Sequence, residues 1–158
     1  MRCWRPESKV LAQCAAFLLT AAATGLLAVG CGGNEKRDFR VDRLNPLTER
    51  LAEERSTLAQ TLRVAHPRRE RDAAVLRSRL DAVAATMRRI AALRPPDGTE
   101  ERFVSYTRAN EALLGSLNRY IRTFTRGTAA EQRAAAEDAQ TAARRADAAE
   151  SALQHALQ

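Results

Sequence analysis

The chain has 158 residues and a mass of 17.4 kDa, with 26 basic and 19 acidic side chains and a net charge of +7. Basic and acidic residues are interleaved, as in Glu49-Arg50 and Glu53-Glu54-Arg55, which is typical of a solvated mixed-charge surface. No basic surface interleaved with aromatic residues is visible, so composition argues against a nucleic-acid-binding protein.

The most specific pattern of the chain lies at its N-terminus. Three basic residues, Arg2, Arg5 and Lys9, precede an apolar run over residues 10–29. The run ends in Leu27-Ala28-Val29-Gly30-Cys31, with small residues directly before a cysteine. This layout is typical of a secretory signal and predicts export across the cell membrane.

The segment resembles the lipobox of bacterial lipoproteins. The resemblance implies that the Cys31 thiol carries a diacylglycerol, that the Gly30–Cys31 bond is cleaved, and that residues 1–30 are a signal peptide. Two positions depart from the family pattern: Ala28 stands where leucine is more common, and Glu7 lies in a region that is usually purely basic. The implied location is the extracytoplasmic face of the cell membrane, with acyl lipid as the only attached group.

An uncleaved signal anchor is the alternative interpretation of the same residues. The run over residues 10–29 is 20 residues long, roughly the length that spans a bilayer. Under either interpretation, the remainder of the chain lies outside the cytoplasm at a membrane surface.

Removal of residues 1–30 takes away three basic residues and one acid, which lowers the net charge from +7 to +5. Cys31 is then the only cysteine, so the domain has no intrachain disulfide and depends on its core for stability. Residues 31–43 are polar and begin with the pair Gly32-Gly33 after Cys31, which predicts a flexible tether.

The first two predicted helices follow this tether. Helix one begins at Asn45-Pro46, because asparagine is a good N-cap and proline suits the first helical turn, and it ends near Val64. Helix two covers residues 67–93, where apolar residues recur at spacings of four and three. The predicted core positions are Leu47, Leu51, Leu58 and Leu62 in helix one, and Leu76, Leu80, Val83, Met87 and Ile90 in helix two. The pair Glu54-Arg55 interrupts the apolar stripe of helix one.

Two further helices are predicted in the C-terminal half. Helix three covers residues 99–125, and Asp97 with Glu100 has the spacing of a capping box. Helix four begins at Thr128, whose spacing to Glu131 gives a second capping box. Helix three presents an aromatic-rich face, namely Phe103, Tyr106, Leu113, Leu117, Tyr120 or Ile121, and Phe124. Helix four presents a mostly alanine stripe, namely Ala135, Ala139, Ala142, Ala146, Ala149, Leu153 and Ala156.

Short connections between amphipathic helices predict an all-α fold, an antiparallel up-down-up-down four-helix bundle over residues 44–158. The alternative is three long helices with helix one lying across them. The segment 90–124, with Leu93-Arg94-Pro95-Pro96 before an aromatic-led helix, is similar to uncharacterised helical lipoproteins of GC-rich bacteria. That resemblance implies a helical bundle and no activity.

Patterns that carry chemistry are missing from the sequence of the predicted domain. Its two histidines, His66 and His155, have no metal-ligand spacing, and no Glu-x-x-His pair occurs. No serine lies in a Gly-x-Ser-x-Gly elbow, and no glycine-rich phosphate loop is present. The sequence therefore predicts no catalytic residues, no metal site and no enzymatic activity.

One group of polar residues lies on the predicted core face of helix three. Asn110 falls between Tyr106 and Leu113 on that stripe, and a buried asparagine needs hydrogen-bond partners. It either fixes the register of the helices, or rotates to the boundary while Ala109 packs, or lines a small-ligand pocket with Tyr106 and Tyr120.

The anchor and the missing catalytic motifs predict a non-catalytic interaction or envelope-associated module. Its expected partners are the membrane, through the lipid, and an envelope protein or an anionic wall polymer or lipid. The alternative is a ligand-binding or sensory bundle that holds a small apolar or anionic molecule.

Overall fold

The computed structural model describes residues 34–66 and 69–158, and these residues form helices with no β-strand. The helical elements are α1 (Asn34–Asp38), a π-helical segment (Phe39–Leu44), α2 (Asn45–Val64), α3 (Glu70–Ala91), α4 (Glu100–Arg126) and α5 (Ala129–Ala156). The first three follow one another without interruption and are together called the first helix, so the described chain contains four helices. The predicted signal peptide 1–30 lies outside the described residues.

The first helix starts earlier than the sequence predicts. Residues 34–43, interpreted as part of a flexible tether, are helical, and Leu44 and Asn45 both have right-handed helical backbone angles. Phe39 is buried and packs edge-on against Phe103, with ring centroids 6.0 Å apart. The predicted helix start at Asn45 is therefore wrong, because burial of Phe39 holds the preceding turns against the core.

A widened turn explains how the first helix passes through Pro46. Proline lacks an N–H, and its ring crowds the carbonyl four residues earlier, so an unmodified α-helix is kinked or broken there. Here the Asn45 N–H donates to the carbonyl of Arg40, five residues earlier, which is the bond of a π-helical turn. The pair Asn45-Pro46 matches a helix start in local sequence, because proline is common in the first turn of a helix, and it does not reveal the π-helical turn.

The apolar stripes predicted for the four helices are confirmed with few exceptions. Ala149 and Ala156 are half-buried, and Ala136 and Ala143 widen the buried face of α5 beyond the predicted positions. The predicted positions that are buried in the structure are Leu47, Leu51, Leu58, Leu62, Leu76, Leu80, Val83, Met87, Ile90, Phe103, Tyr106, Leu113, Leu117, Tyr120, Ile121, Phe124, Ala135, Ala139, Ala142, Ala146 and Leu153.

The turn between α3 and α4 differs from its prediction in the capping residue. Thr99, rather than Asp97, is the N-cap of α4, and it makes no side-chain bond to that helix. Instead, the Thr99 N–H and hydroxyl both donate to the Pro96 carbonyl, at 3.1 and 2.7 Å. Gly98 has φ of +80°, which a side chain would disfavour. The predicted capping box of Asp97 with Glu100 is thus wrong, since the chain forms a tight turn there.

The connection between α4 and α5 follows the sequence closely. The Glu131 N–H donates to the Thr128 hydroxyl at 3.3 Å, and the Thr128 N–H donates to the Glu131 carboxylate at 2.7 Å, so the predicted capping box is confirmed. Gln132 adds a contact that the sequence analysis missed. Its amide donates to the carbonyls of Thr123, at 3.2 Å, and Gly127, at 3.4 Å, and so satisfies the C-terminal end of α4.

The helix pairs of the bundle differ in how extensively they pack. The contact between α4 and α5 is the most extensive, followed by those of α2 with α3 and of α3 with α4. Alanines occupy most of the buried face of α5, which lets the two helix backbones approach closely. None of the described helices combines the length and the apolar composition needed to cross a bilayer.

Candidate functional site

The predicted lipid-attachment residues, Gly30 and Cys31, lie outside the described part of the chain. The described residues begin at Asn34, three positions after Cys31. The geometry of a candidate site must therefore be sought within the helical domain, beginning with the predicted pocket residues on α4.

All three predicted pocket residues, Tyr106, Asn110 and Tyr120, are buried on α4. The Asn110 side-chain amide donates to the Tyr106 backbone carbonyl at 3.0 Å, one helical turn earlier. Tyr120 follows Tyr106 by fourteen positions on the same helix, an axial separation of about 21 Å. The structure thus brings Tyr106 and Asn110 together and places Tyr120 well away from both.

The Tyr106 hydroxyl is the most unusual polar group of the domain. Its side chain is fully buried, and the hydroxyl has no hydrogen-bond partner among the described residues. Burial raises the pKa of Tyr106 well above its ordinary value, and the Glu150 carboxylate raises it further, while the Arg55 charge opposes the shift. Because most buried hydroxyls are paired, this group calls for a functional or structural explanation.

Arg55 of the first helix is one of the two charges that act on Tyr106. It occupies a core position, four residues after Leu51 and three before Leu58, and its side chain is 7% exposed. Its guanidinium Nη2 donates to the Asp147 carboxylate of α5 at 3.3 Å, whereas its Nε is buried without a partner. The sequence analysis treated Arg55 as an interruption, although a charge at a core position was the signal of a buried ion pair.

Glu150 of α5 completes the group. Desolvation raises the pKa of Glu150, the Arg55 charge opposes that shift, and the Asp147 carboxylate adds to it. We call Arg55, Tyr106, Asp147 and Glu150 the Arg55 cluster. Within this cluster an ion pair joins the first helix to α5, and the buried Tyr106 of α4 experiences the charges of both helices.

The cluster has few of the features that chemistry requires. It contains no serine, cysteine or histidine that would serve as an activated nucleophile or base. Within residues 34–66 and 69–158, no three histidines, cysteines or acids lie close enough to hold a metal ion. Two donors of the cluster, the Tyr106 hydroxyl and Arg55 Nε, have no acceptor within the described residues.

Both histidines of the domain lie at its surface. The His66 backbone N–H donates to the Asp72 carboxylate at 2.7 Å, and its ring Nδ1 lies 3.1 Å from the Val64 carbonyl. His155 is exposed in the last turn of α5, where a cation suits the helix dipole. Their surroundings indicate local structural contacts.

Comparison with known proteins identifies no relative: no family model, no curated protein and no solved structure matches this chain. The functional argument therefore depends on the residues alone.

Proposed function

We propose that this protein is a membrane-anchored lipoprotein whose helical bundle acts as a non-catalytic interaction module on the extracytoplasmic face of the membrane. The observation that carries the proposal is the run Leu27-Ala28-Val29-Gly30-Cys31 behind a basic N-terminus and an apolar segment. The lipid on Cys31 would fix the domain to the bilayer, because covalent acyl chains bind membranes through their buried methylenes.

The start of the first helix supports a location close to the bilayer. Only Gly32 and Gly33 separate Cys31 from the helix that begins at Asn34. A linker of this length extends about 10 Å at most, so the domain would lie at the membrane surface. We also propose the up-down-up-down arrangement of the four helices, because the three connections between them are short.

Substitution of Cys31 tests the anchor. For the wild-type chain expressed in a bacterium, intact-mass measurement should give residues 31–158 plus a diacylglycerol, with or without a further acyl chain. Cys31→Ser should yield a chain that carries no lipid and is not cleaved at Gly30. Cys14→Ser is the matched control, since that cysteine lies within the predicted signal peptide and its loss should leave processing unchanged. A wild-type chain that keeps residues 1–30 and carries no lipid would contradict the proposal.

The interaction role has a separate test. Chemical crosslinking of intact cells, followed by purification under denaturing conditions, should join this protein to an envelope protein or to a wall polymer. Repeated crosslinking that recovers neither would contradict the interaction module while leaving the anchor untouched.

The Arg55 cluster supports a second candidate function, the binding of a small molecule within the bundle. Two buried donors, the Tyr106 hydroxyl and Arg55 Nε, have no acceptor within the described chain. Native mass spectrometry of the wild-type chain should then detect a bound acceptor-bearing molecule that Tyr106→Phe loses. Tyr120→Phe is the matched control, because Tyr120 lies far along the same helix. A ligand-free wild-type chain, together with a Tyr106→Phe chain that is more stable, would eliminate this candidate.

A further inference from the structure

The net positive charge of the helical domain is concentrated in one segment. Between Arg69 and Arg94 there are seven arginines and three acidic residues, and the remaining described residues carry equal numbers of basic and acidic side chains. By contrast, α5 carries three arginines and five acidic residues. The segment that contains α3 therefore supplies all of the net charge of the described residues.

The arginines of α3 lie on its solvent side, and no ion pair within the described residues involves them. Arg71, Arg88 and Arg89 are exposed, and no carboxylate of the described residues forms an ion pair with any of them. These three charges are therefore not neutralised by an ion pair within the described residues. Because an unpaired guanidinium is multidentate and always charged, such a row is suited to phosphate groups.

Small side chains also occupy the outer face of α3 between its arginines. At 100° per residue, Ala74, Ser78 and Ala85 lie opposite the buried stripe, and all three are exposed. Arg71 and Arg89 flank this row of small side chains on one side, and Arg88 flanks it on the other, where the exposed Asp81 also lies. A flat surface can approach the small residues while the long arginine side chains reach out to its charges.

The N-terminal end of the domain lies towards the C-terminal end of α3. Phe39 of the first helix contacts Phe103 of α4, and α4 follows the C-terminal end of α3 after one tight turn. The α2 segment also packs directly against α3, and packed helices have axes 8–10 Å apart. A linker of about 10 Å from Asn34 to Cys31 therefore leaves Cys31 at the same end of the bundle as Arg88 and Arg89.

We propose that the outer face of α3, built on Arg71, Arg88 and Arg89, lies against the anionic headgroups of the bilayer and sets the orientation of the bundle. This inference rests on the membrane anchor proposed above, because the anchor supplies the surface. Juxtamembrane basic residues are attracted to anionic lipids, and the attraction decays within one Debye length. The partner is therefore a phospholipid surface that carries net negative charge.

Arginine footprinting with a dicarbonyl reagent tests the orientation on the full chain. The chain is reconstituted into phosphatidylcholine vesicles with or without phosphatidylglycerol, and mass spectrometry reads the reactivity of each arginine. Reactivity of Arg71, Arg88 and Arg89 should fall about fivefold with phosphatidylglycerol, the factor expected for attraction of one basic side chain to an anionic leaflet. In about 1 M salt, where the Debye length is about 3 Å, the protection should disappear.

The internal controls are Arg133, Arg144 and Arg145 of α5, which are also exposed and should keep their reactivity. A charge-matched pair of triple variants sharpens the test, and its readout is Arg77, another exposed arginine of α3. Substitution of arginine by glutamine at positions 71, 88 and 89 should remove the protection of Arg77. The same substitution at positions 133, 144 and 145 should leave that protection in place. Equal protection of α3 and α5, or of neither, would overturn the proposal. Protection by a dissolved polyphosphate but not by vesicles would overturn it in favour of a wall polymer.

The same sample separates this inference from the anchor, because intact mass reports the lipid on Cys31 independently. A chain that carries lipid but shows no protection of α3 contradicts only the orientation. A chain without lipid that still shows the α3 footprint contradicts only the anchor.

Discussion

Two contacts of α5 hold the same helix by different means. Towards α4, α5 presents a face that is mostly alanine, and this is the most extensive helix contact in the molecule. Towards the first helix, the contacts are polar: Arg55 donates to Asp147 at 3.3 Å, and Lys36 Nζ donates to the Ala156 carbonyl at 3.2 Å. The α4–α5 contact depends on side-chain volume, and the contact of α5 with the first helix depends on charge.

The difference shows how two parts of a small core are specified. Alanine is the best helix former and buries little area, so α5 needs a neighbour with large side chains at short distance, and α4 supplies it. The first helix instead places a charge in the core, where the loss of solvation is offset only if partners are well positioned. We therefore expect substitutions that change side-chain volume to destabilise the α4–α5 contact most, and polar substitutions there to destabilise it less. The stability contributed by the Arg55 cluster should instead change with the protonation of its side chains.

Phe124→Ala provides the strongest test of the volume-dependent contact. Phe124 is 2% exposed near the C-terminal end of α4, and truncation of a buried phenylalanine costs about 3–5 kcal/mol of unfolding free energy. Chemical denaturation should show this loss. Val104→Ala, at an exposed position of α4, should cost less than about 1 kcal/mol, and equal losses for both variants would break the distinction.

Ala146→Leu tests the close approach of α4 and α5 from the other side. Ala146 is 1% exposed, and added methylenes in a filled core cost about 1–3 kcal/mol because neighbouring side chains must move. Thermal and chemical denaturation both measure the loss. Ala148→Leu, two residues away on the exposed surface, should change stability by no more than about 0.5 kcal/mol. If Ala146→Leu were neutral, the helices would not be in close contact.

Glu150→Gln tests the charge-dependent contact through its pH dependence. Because desolvation raises the pKa of Glu150 above its value in the unfolded chain, the folded chain binds this proton more tightly. The side chain therefore favours folding most at acidic pH, and this contribution is lost as the pH rises through the raised pKa. Glu150→Gln should be more stable than wild type at neutral pH and should flatten the decline of stability with pH.

Glu137→Gln, on the exposed side of the same helix, is the control for this titration. It removes the same charge from α5 at an exposed position. Denaturation curves measured over a pH series should therefore separate the two variants. Identical pH profiles for both would show that the surroundings of Glu150 do not matter.

The sequence was most informative where one physical rule acted alone. Apolar spacing predicted the buried faces of all four helices, because each face is set by helical periodicity and burial. The capping box of Thr128 and Glu131 was readable for the same reason, since its atoms lie within one turn. For the predicted pocket, periodicity placed Asn110 in the core, but it did not reveal that its amide bonds within α4.

The errors arose where distant residues decide a local structure. Phe39 alone carries the burial that makes residues 34–43 helical, and its partner Phe103 lies more than sixty positions away in sequence. Arg55 likewise depends on Asp147, 92 positions later, so the local pattern marks a charge at a core position but does not identify its partner. Tertiary contact overrides local propensity at both places.

Gly115→Ala should have the smallest effect on unfolding free energy. It changes helix propensity at a position that belongs to neither contact of α5. Gly115 lies on the exposed side of α4, and a Cβ built there meets no atom within 4 Å. Alanine should therefore raise the unfolding free energy by about 0.5–1 kcal/mol, because glycine loses more backbone entropy on helix formation. Gly127→Ala should act in the opposite direction, since its Cβ would lie 2.6 Å from the Thr123 carbonyl oxygen. If thermal denaturation showed that Gly115→Ala lowers stability, helix propensity would not be the factor that decides stability at this position.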